Sequence, residues 1–442
     1  MNARRLALDV SRDVFAADGT RQRTAQESLD YHLRKSHLEE RDRALATELA
    51  YGAIKMRRLL DWYLRAYVGA RPKPPPLVIA EILRLASYEL LCMRSAQHAV
   101  VHEWVSIAHL YGHRGTAGLV NAVLRTMIRD CPPAPAQGDF GDHDDFLGTK
   151  YSFPTWVIKQ WRGQFGNELL ESILKAVNAP AQPAVAVNVA RTDVSGALRW
   201  FEERRIGARP SSLVDDSLLV DDGAFVRAHE TSAGGAWRVH SESAAVPVDV
   251  LNPQPGEAIL DLCSGRGNKA LQAGARLRGE GALTCVEKDD RKVRVLRDRL
   301  DDAGIAAAIV TGDATQPLFE RAFDRVVLDA PCSGTGVFGR RAEARWRKHP
   351  DDGSRLADLQ RELLDAAAAR VYPGGVLVYA VCSSDPREGL EVVEAFLRRH
   401  HFMRGLVPAR YASLVSAQGD IMIPPGIEGR DGFFVARLER AA

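Results

Sequence analysis

The 442-residue sequence lacks any apolar stretch close to the ~20 residues that a membrane span requires. Its N-terminus, MNARRLALDVSRD, carries charges where a signal peptide has its apolar segment. Six cysteines occur without a CxxC pair, which argues against a zinc site and against a disulfide framework. The net charge is only +2, so a nucleic-acid partner has to be held by local basic patches. We expect a cytoplasmic, monomeric protein with reduced thiols and no bound metal.

The chain is long enough for a multidomain protein, and its composition changes three times. Residues 1–130 have apolar positions at helical spacing, which predicts an all-α bundle. Residues 131–150, beginning CPPAPAQGDFGDHDD, are typical of a linker because they are rich in proline, glycine and acidic residues. Residues 151–235 predict a small α/β unit of the RNA-binding type. In residues 236–442 short Val/Ile/Leu runs alternate with helical patterns, which predicts an α/β doubly wound, Rossmann-like domain.

A glycine-containing loop follows the first strand of that domain. In ILDLCSGRGNKALQ the strand ends at Asp261 and Leu262, and a helix is predicted to start near Lys269. Such a loop lets backbone and a helix N-terminus approach a ligand closely, although an ordinary β-to-α turn has the same appearance. The next strand ends at Glu287, at about the 20-residue separation typical of an acid that binds both ribose hydroxyls. Asp313 follows a third strand in the same way.

The loop has neither the GxGxxG pattern of dinucleotide sites nor the GxxxxGK[ST] pattern of triphosphate sites. A nucleoside cofactor without phosphates is therefore favoured, and S-adenosylmethionine fits that description. The residues predicted to bind it are Cys263, Ser264, Gly265, Arg266, Gly267, Asn268, Lys269, Glu287, Asp313 and Asp329.

Two cysteines stand at the ends of predicted strands. DAPCSGTG puts Asp329 and Cys332 after one strand, and YAVCSS puts Cys382 after another. A buried cysteine is usually only a small hydrophobe, but these two enter loops at the edge where doubly wound folds bind ligands. A thiolate is a strong nucleophile, and methylation of a pyrimidine at C5 requires nucleophilic addition at C6. The sulfur must later be expelled and the C5 proton removed, which gives a second polar group a purpose.

These motifs together resemble the RNA cytosine-5 methyltransferases, in particular the ribosomal RsmB or Sun branch with an N-terminal NusB-like domain. Family members have DLCAAPGGKT at the cofactor loop, DAPCSGTG at the first cysteine and TCS at the second, and the middle motif is matched letter for letter. The resemblance implies that Cys382 is the nucleophile, that Cys332 assists product release, and that Asp329 lies near the methyl donor and target base. It implies S-adenosylmethionine as cofactor and RNA, most specifically small-subunit (16S) ribosomal RNA, as substrate.

Other segments extend the resemblance. Residues 98–130 resemble the end of the NusB-like domain, and residues 429–440 resemble the closing strand of the family, although an amphipathic edge strand has the same pattern. The spacing of His98, His102 and His109 would also suit a metal site, but an exposed helix face is the simpler interpretation.

The cofactor loop departs from the family pattern. Ala-Pro-Gly-Gly-Lys-Thr becomes Gly-Arg-Gly-Asn-Lys-Ala over residues 265–270, and the threonine before the second cysteine becomes Val381. Arg266 and Ala270 are the less conservative changes. We expect Asn268 to replace a glycine with positive φ, because asparagine adopts that conformation more readily than other residues. A rival hypothesis follows: a non-catalytic RNA-binding or ribosome-assembly factor with a remnant methyltransferase domain.

A basic run follows the Cys332 motif. GRRAEARWRKHP, residues 339–350, combines cationic side chains with a tryptophan, which suits phosphate contact and base stacking on single-stranded or flipped-out RNA. A solvated helix face is the alternative. The predicted RNA-binding residues are Arg340, Arg341, Arg345, Trp346, Arg347 and Lys348.

Overall fold

The computed structural model describes residues 2–16, 22–69, 74–229 and 234–442. They form two compact units. Unit 1 contains Met1–Gly163 and Arg341–Lys348, and unit 2 contains Gln164–Arg340 and His349–Ala442. No helix in the described part of the chain is long and apolar enough to cross a membrane.

Unit 1 is helical, as predicted. Its core consists of aliphatic side chains packed around the fully buried Trp104. A capping box between Thr24 and Glu27 starts the second helix by satisfying two free backbone N–H groups. The helices are α1 (Ala3–Val14), α2 (Ala25–Arg34), α3 (Glu40–Lys55), α4 (Arg57–Val68), α5 (Leu77–Cys92), α6 (Gln97–Tyr111), α7 (Arg114–Asp130), α8 (His143–Lys150), the first part of α9 (Thr155–Asn178), and α15 (Ala344–Arg347).

The segment predicted as a linker is partly folded. Helix α8 lies within it, capped by the Asp142 side chain, and it buries Phe146 and Leu147, of which the latter is 1% exposed. The acidic stretch therefore contains a helix that packs in the compact unit. Unit 1 extends to Gly163, within α9.

Unit 2 begins with a small antiparallel sheet. α9 is broken at Gly166, whose φ of 75° lies outside the helical region. The sheet has the order β2-β3-β1-β4, and Trp237 and Phe201 fill its core. Its elements are β1 (Ala184–Val187), α10 (Val194–Glu202), β2 (Ala208–Pro210), β3 (Ser217–Val220), α11 (Gly223–His229) and β4 (Trp237–Val239). This arrangement confirms the small α/β unit.

The rest of unit 2 is an eight-stranded sheet of order β10-β12-β9-β8-β5-β6-β7, with β11 paired to β12. The five strands β5 to β9 pair in parallel, whereas β10, β11 and β12 pair antiparallel. The elements are α12 (Glu242–Leu251), β5 (Ala258–Leu262), α13 (Asn268–Leu277), β6 (Ala282–Glu287), α14 (Asp290–Ala303), β7 (Ala308–Thr311), β8 (Phe323–Asp329), α16 (Asp352–Ala368), β9 (Val371–Val381), α17 (Leu390–Leu397), β10 (Phe402–Arg404), β11 (Ile421–Ile423) and β12 (Phe433–Arg440).

Helices cover both faces of this sheet. Ile259 and Val327 pack with α12, α13 and α14 on one face, while their neighbours Leu260 and Val326 pack with α16 and α17 on the other. Strands buried on both faces read as continuous apolar runs, as the sequence shows. The doubly wound α/β domain is thereby confirmed.

Candidate active site

The parallel strands end at one edge of the large sheet. Strand register aligns Leu262 with Val286 and with Leu328, and it aligns Asp329 with Ala380. The order of the strands reverses direction between β5 and β8, which is where doubly wound sheets bind ligands. Loops after β5, β6, β8 and β9 therefore meet at this edge, and they carry the predicted cofactor and catalytic residues.

The loop after β5 is held in an unusual backbone conformation. Cys263 has a φ of 72°, which is rare for a residue with a Cβ, and Gly265 and Gly267 have φ values of 60° and 86°. A Cβ on Gly267 would stand 2.5 Å from Leu296 Cδ1, so this glycine is required for space as well as for conformation. The Ser264 N–H donates to Val286 O at 2.8 Å and ties the loop to β6.

Asn268 does not have the positive φ that we expected. It is the first residue of α13, and the left-handed conformation belongs to Gly267, which precedes it. The Asn268 side chain accepts a hydrogen bond from Arg299 Nη1 at 2.7 Å, and the same arginine donates to Arg266 O. The Gly-to-Asn departure therefore falls at the first position of a helix, where no positive φ is required.

Glu287 faces the glycine loop from the end of β6. Its Oε2 accepts from the Gly265 N–H and its Oε1 from the Asp289 N–H, both at 2.9 Å. A carboxylate has about four acceptor positions, so Glu287 retains capacity for further donors. Asp313, after β7, is exposed, and the Thr315 N–H and hydroxyl that donate to it hold the pKa of its carboxyl below the usual value.

An ion pair crosses the edge between β5 and β8. Lys269 Nζ contacts Asp329 Oδ2, with the lysine side chain 6% exposed and the aspartate 35% exposed. The ammonium group also lies 5.5 Å from the centre of the Phe433 ring. Beneath the pair, burial raises the pKa of Asp261 to about 7, an effect that Lys269 opposes and Asp329 reinforces. No pattern in the sequence indicates that Asp261, the second carboxyl group at this edge, is buried.

The two predicted thiols are in contact. Cys332 Sγ lies 3.3 Å from Cys382 Sγ, and both residues are partly exposed at the sheet edge. The hydrogen bond with Cys382, followed by burial and the negative charges of Glu388 and Asp329, raises the pKa of Cys332 well above its usual range. This environment favours the neutral thiol form of Cys332.

Comparison with known proteins places this geometry in a family. The 16S rRNA methyltransferase RsmB/F model matches residues 248–439, the NusB family model matches residues 1–129, and an RsmF/B-like ferredoxin-like domain matches residues 153–227. Ribosomal RNA small subunit methyltransferase B of Thermus thermophilus is 35% identical over 94% of this chain and 93% of its own. The enzyme of the same name from Vibrio cholerae is 33% identical over 92% and 91%.

This chain belongs to the RsmB family of methyltransferases. The crystal structure of PH0851 shares its fold with a TM-score of 0.83, over 100% of this chain and 99% of that chain, at 24% identity. The predicted cofactor is likewise confirmed: the enzyme is of the S-adenosylmethionine-dependent type.

The residues of this RsmB-family site fit that cofactor. Glu287 has acceptor capacity for ribose hydroxyls, and a Cβ on Gly265 would meet no atom within 4 Å, so the loop leaves open space beside it. The N-terminus of α13 directly follows the loop and suits a carboxylate. S-adenosylmethionine carries both the ribose hydroxyls and the carboxylate. The strands bring the protein groups that suit them to one edge of the sheet.

The structure contradicts the predicted RNA contact of Arg345. This residue is 0% exposed; its Nη1 donates to Ser152 O at 3.1 Å, and its guanidinium lies 4.0 Å from the Phe153 ring centre. Trp346 Nε1 donates to Ile54 O, and Arg347 Nη2 donates to Val14 O, both at 2.6 Å. These carbonyls lie at the ends of α1 and α3, where free acceptors need donors. Trp346 and Arg347 are nevertheless partly exposed, and RNA binding by these two stays a prediction.

The remaining basic residues have different environments. Arg340, in unit 2, pairs with Asp431 at 2.9 Å, whereas Arg341 is exposed and Lys348 is partly exposed. RNA binding by these three stays a prediction.

The histidines on α6 also have a defined environment. His98, His102 and His109 line a groove of about 460 Å³ together with Arg125 and Arg129. Within the described ranges, no set of three or more His, Cys, Asp or Glu side chains is placed to hold a metal ion.

Proposed function

We propose that this enzyme methylates C5 of a cytosine in small-subunit ribosomal RNA through a covalent adduct between Cys382 and C6 of the base. The observation that carries the proposal is the contact between two thiols at the ligand-binding edge of the sheet, with Sγ atoms 3.3 Å apart. A methyltransferase acting on a nucleophilic nitrogen or oxygen needs no attacking sulfur. The names of the relatives support ribosomal RNA as the substrate class.

Cys382 begins the reaction. Its thiolate adds to C6, the C5–C6 double bond opens, and the electron pair moves to C5. When bound, S-adenosylmethionine supplies the electrophilic methyl group that C5 accepts. Glu287 and the glycine loop, which would hold the cofactor, lie at the same edge of the sheet as the Cys382 sulfur.

Cys332 completes the reaction. After methylation the proton on C5 must leave, the double bond must reform, and the bond between C6 and the Cys382 sulfur must break. A sulfur 3.3 Å from the attacking sulfur is close to the neighbouring carbon. After Cys332 has lost its own proton to solvent, its thiolate would take the C5 proton and return to the neutral thiol that its raised pKa favours, while Cys382 leaves C6 as a thiolate. Cys332 is thus placed to promote release.

Asp329 and Lys269 complete the site on the side of β8 and β5. The partly exposed Asp329 carboxylate can accept hydrogen bonds from the amino group of a cytosine, and Lys269 fixes its position. A uracil presents an oxygen where cytosine presents the amino group, so this carboxylate favours cytosine. To reach the site the base must leave its stack, as in other enzymes that act on a single base. We propose that the enzyme acts as a monomer in the cytoplasm, where thiols stay reduced.

A denaturing gel of the two cysteine variants with labelled 16S ribosomal RNA and S-adenosylmethionine tests the proposal. Cys382→Ala is expected to abolish methyl transfer and to form no adduct. Cys332→Ala is expected to complete one round of attack and methylation and then to accumulate as an RNA adduct that survives denaturation. Cys92→Ala, which removes an exposed thiol of unit 1, serves as the matched control and is expected to behave as the wild type.

The other outcomes discriminate between mechanisms. An adduct from Cys382→Ala and none from Cys332→Ala would reverse the two roles. Methylation by both variants without any adduct would refute covalent catalysis. Absence of both methylation and cofactor binding in the wild type would favour the non-catalytic assembly factor.

A further inference from the structure

A buried carboxylate lies behind the two thiols. Glu388 is 0% exposed and belongs to the turn between β9 and α17. Its Oε1 accepts from the Ser333 N–H at 2.8 Å and from Gln360 Nε2 at 3.0 Å. Its Oε2 accepts from the Ser333 hydroxyl and from the Ser383 hydroxyl, the latter at 2.5 Å. The four donors use the full acceptor capacity of a carboxylate.

Two of the donor residues are the immediate neighbours of the thiols. Ser333 follows Cys332, and Ser383 follows Cys382, so a single carboxylate binds both cysteine loops. No ion pair of Glu388 occurs in the described part of the chain. A buried charge without a cation is costly unless hydrogen bonds compensate it, so Glu388 depends on the donors that the two cysteine loops supply.

The surrounding contacts fix the same geometry from outside. The Gly336 N–H donates to Cys382 O at 3.1 Å, which joins the two loops through their backbones. A Cβ on Gly336 would stand 2.1 Å from Gly432 O, so no side chain fits between the loop after β8 and the loop before β12. Gln360, on α16, donates to Pro331 O at 2.8 Å in addition to Glu388. Glu388 is therefore the centre of a network that reaches the residue on either side of Cys332.

We propose that Glu388 is a positioning residue that holds the Cys332 and Cys382 loops at the separation which the two-thiol reaction requires. It acts through Ser333 and Ser383 and touches neither base nor cofactor. The inference rests on the proposed covalent mechanism. That mechanism has no role for Glu388, and the inference assigns it one. The negative charge of Glu388 also helps to raise the pKa of Cys332, after the hydrogen bond with Cys382 and burial.

Glu388→Gln is the decisive variant. Its amide nitrogen is a donor, so a serine hydroxyl that donates to Glu388 in the wild type would have to turn and accept instead, which weakens the hold on the two cysteine loops. Displacement of a reacting group by about 1 Å can reduce a rate about 100-fold, and we expect kcat to fall by that order with the KM for S-adenosylmethionine unchanged. Glu391→Gln, which removes an exposed carboxylate from the first turn of α17, is the matched control.

The pH dependence of thiol alkylation gives a second measurement. Removing the charge of Glu388 is expected to lower the pH at which Cys332 reacts with iodoacetamide, as followed by mass spectrometry of the Cys332 peptide. Glu391→Gln is expected to leave this profile unaltered. Wild-type kcat and a wild-type alkylation profile in a folded Glu388→Gln protein would overturn the inference.

Two further variants keep the test decisive. If Glu388→Gln does not fold, Ser333→Ala combined with Ser383→Ala preserves the carboxylate and removes both hydroxyl links, which leaves only the backbone N–H of residue 333 as a donor from the cysteine loops. We expect kcat to fall at least about 10-fold, and an unchanged kcat would overturn the inference. Cys382→Ala is assayed in parallel. An active Cys382→Ala would refute the covalent mechanism, whereas an inactive Cys382→Ala beside a fully active Glu388→Gln would refute only the positioning role.

Discussion

Two neighbouring stretches of this chain, residues 329–336 and residues 341–348, look equally functional and serve opposite purposes. The first ends β8 in unit 2 and leaves the Cys332 sulfur and the Asp329 carboxylate partly exposed at the ligand-binding edge. The second has more charge, yet it folds into unit 1, where Arg345, Trp346 and Arg347 donate to backbone carbonyls. The first stretch lies at the proposed active site, and the second contributes to a helical core.

The difference shows which kind of sequence pattern predicts a functional site. An ordered motif such as DAPCSGTG specifies residue types at fixed positions directly after a strand. In the folded protein these residues lie at the end of that strand. A basic composition specifies only that cations are present, and a free helix end attracts a cationic donor as readily as a phosphate does. Substitutions in the first stretch are therefore expected to change activity, and substitutions in the second are expected to change stability.

The largest effect on stability is expected from Asp261, the buried carboxyl group beneath the first stretch. Burial raises its pKa from the usual value to about 7, so ionisation is disfavoured in the folded protein. The folded protein therefore keeps its full stability while Asp261 is neutral in both states, below the pKa of Asp261 in the unfolded chain, near 4. It loses stability as the pH rises to 7, because the unfolded chain then ionises more readily than the folded protein. The loss amounts to about 4 kcal/mol, since each pKa unit corresponds to roughly 1.4 kcal/mol.

Asp261→Asn tests this expectation, because asparagine does not ionise. The free energy of unfolding in urea is measured for both proteins at pH 4 and at pH 8. The difference between Asp261→Asn and the wild type is expected to change in favour of the variant by the amount that the wild type loses. Parallel pH profiles for the two proteins would show that Asp261 does not titrate in this range. Such a result would show no pH-dependent difference in stability between the sheet edge at residues 329–336 and the helical core that contains residues 341–348.

The next effect concerns the second stretch. Arg345→Ala removes a buried guanidinium, leaves Ser152 O without its donor and opens a cavity against Phe153, which together are expected to lower the free energy of unfolding by about 3 kcal/mol. RNA affinity of the folded protein is expected to stay unchanged. Lys348→Ala removes the same charge from a partly exposed position and is expected to change stability by less than about 0.5 kcal/mol. Reduced RNA affinity at unchanged stability would restore the RNA-binding interpretation of Arg345.

Local patterns explain how far the sequence could predict the site. Buried parallel strands read as apolar runs, and the residue after each run must lie at the carboxyl edge, so Glu287, Asp329 and Cys382 could be brought together without a structure. Glu388 could not be found in this way, because its hydrogen bonds reach Ser333 and Gln360 across distant parts of the chain. The only signals were a serine after each cysteine and an acid shortly after the second.

The helix within the predicted linker could not be recognised for a related reason. Composition averages over a stretch, and the acidic residues of 131–150 concealed the two side chains, Phe146 and Leu147, that α8 buries. Likewise, nothing in the order of residues shows that 341–348 leave unit 2 and pack in unit 1. Membership of a core depends on contacts between segments far apart in sequence, which a linear pattern does not record.

The smallest expected effect lies in the cofactor half of the site and asks whether its acceptors serve a ligand or only the loop. Glu287 accepts from the Gly265 and Asp289 N–H groups, so a purely structural role would account for both bonds in the absence of any ligand. If Glu287 also binds the ribose, Glu287→Ala is expected to weaken S-adenosylmethionine binding by roughly 1–3 kcal/mol, the usual loss for a charged hydrogen-bond partner. Isothermal titration calorimetry measures this change, with Asp290→Asn, an exposed carboxylate at the start of α14, as the matched control. Unchanged affinity in Glu287→Ala would assign Glu287 to the scaffold, in the same class as Arg345.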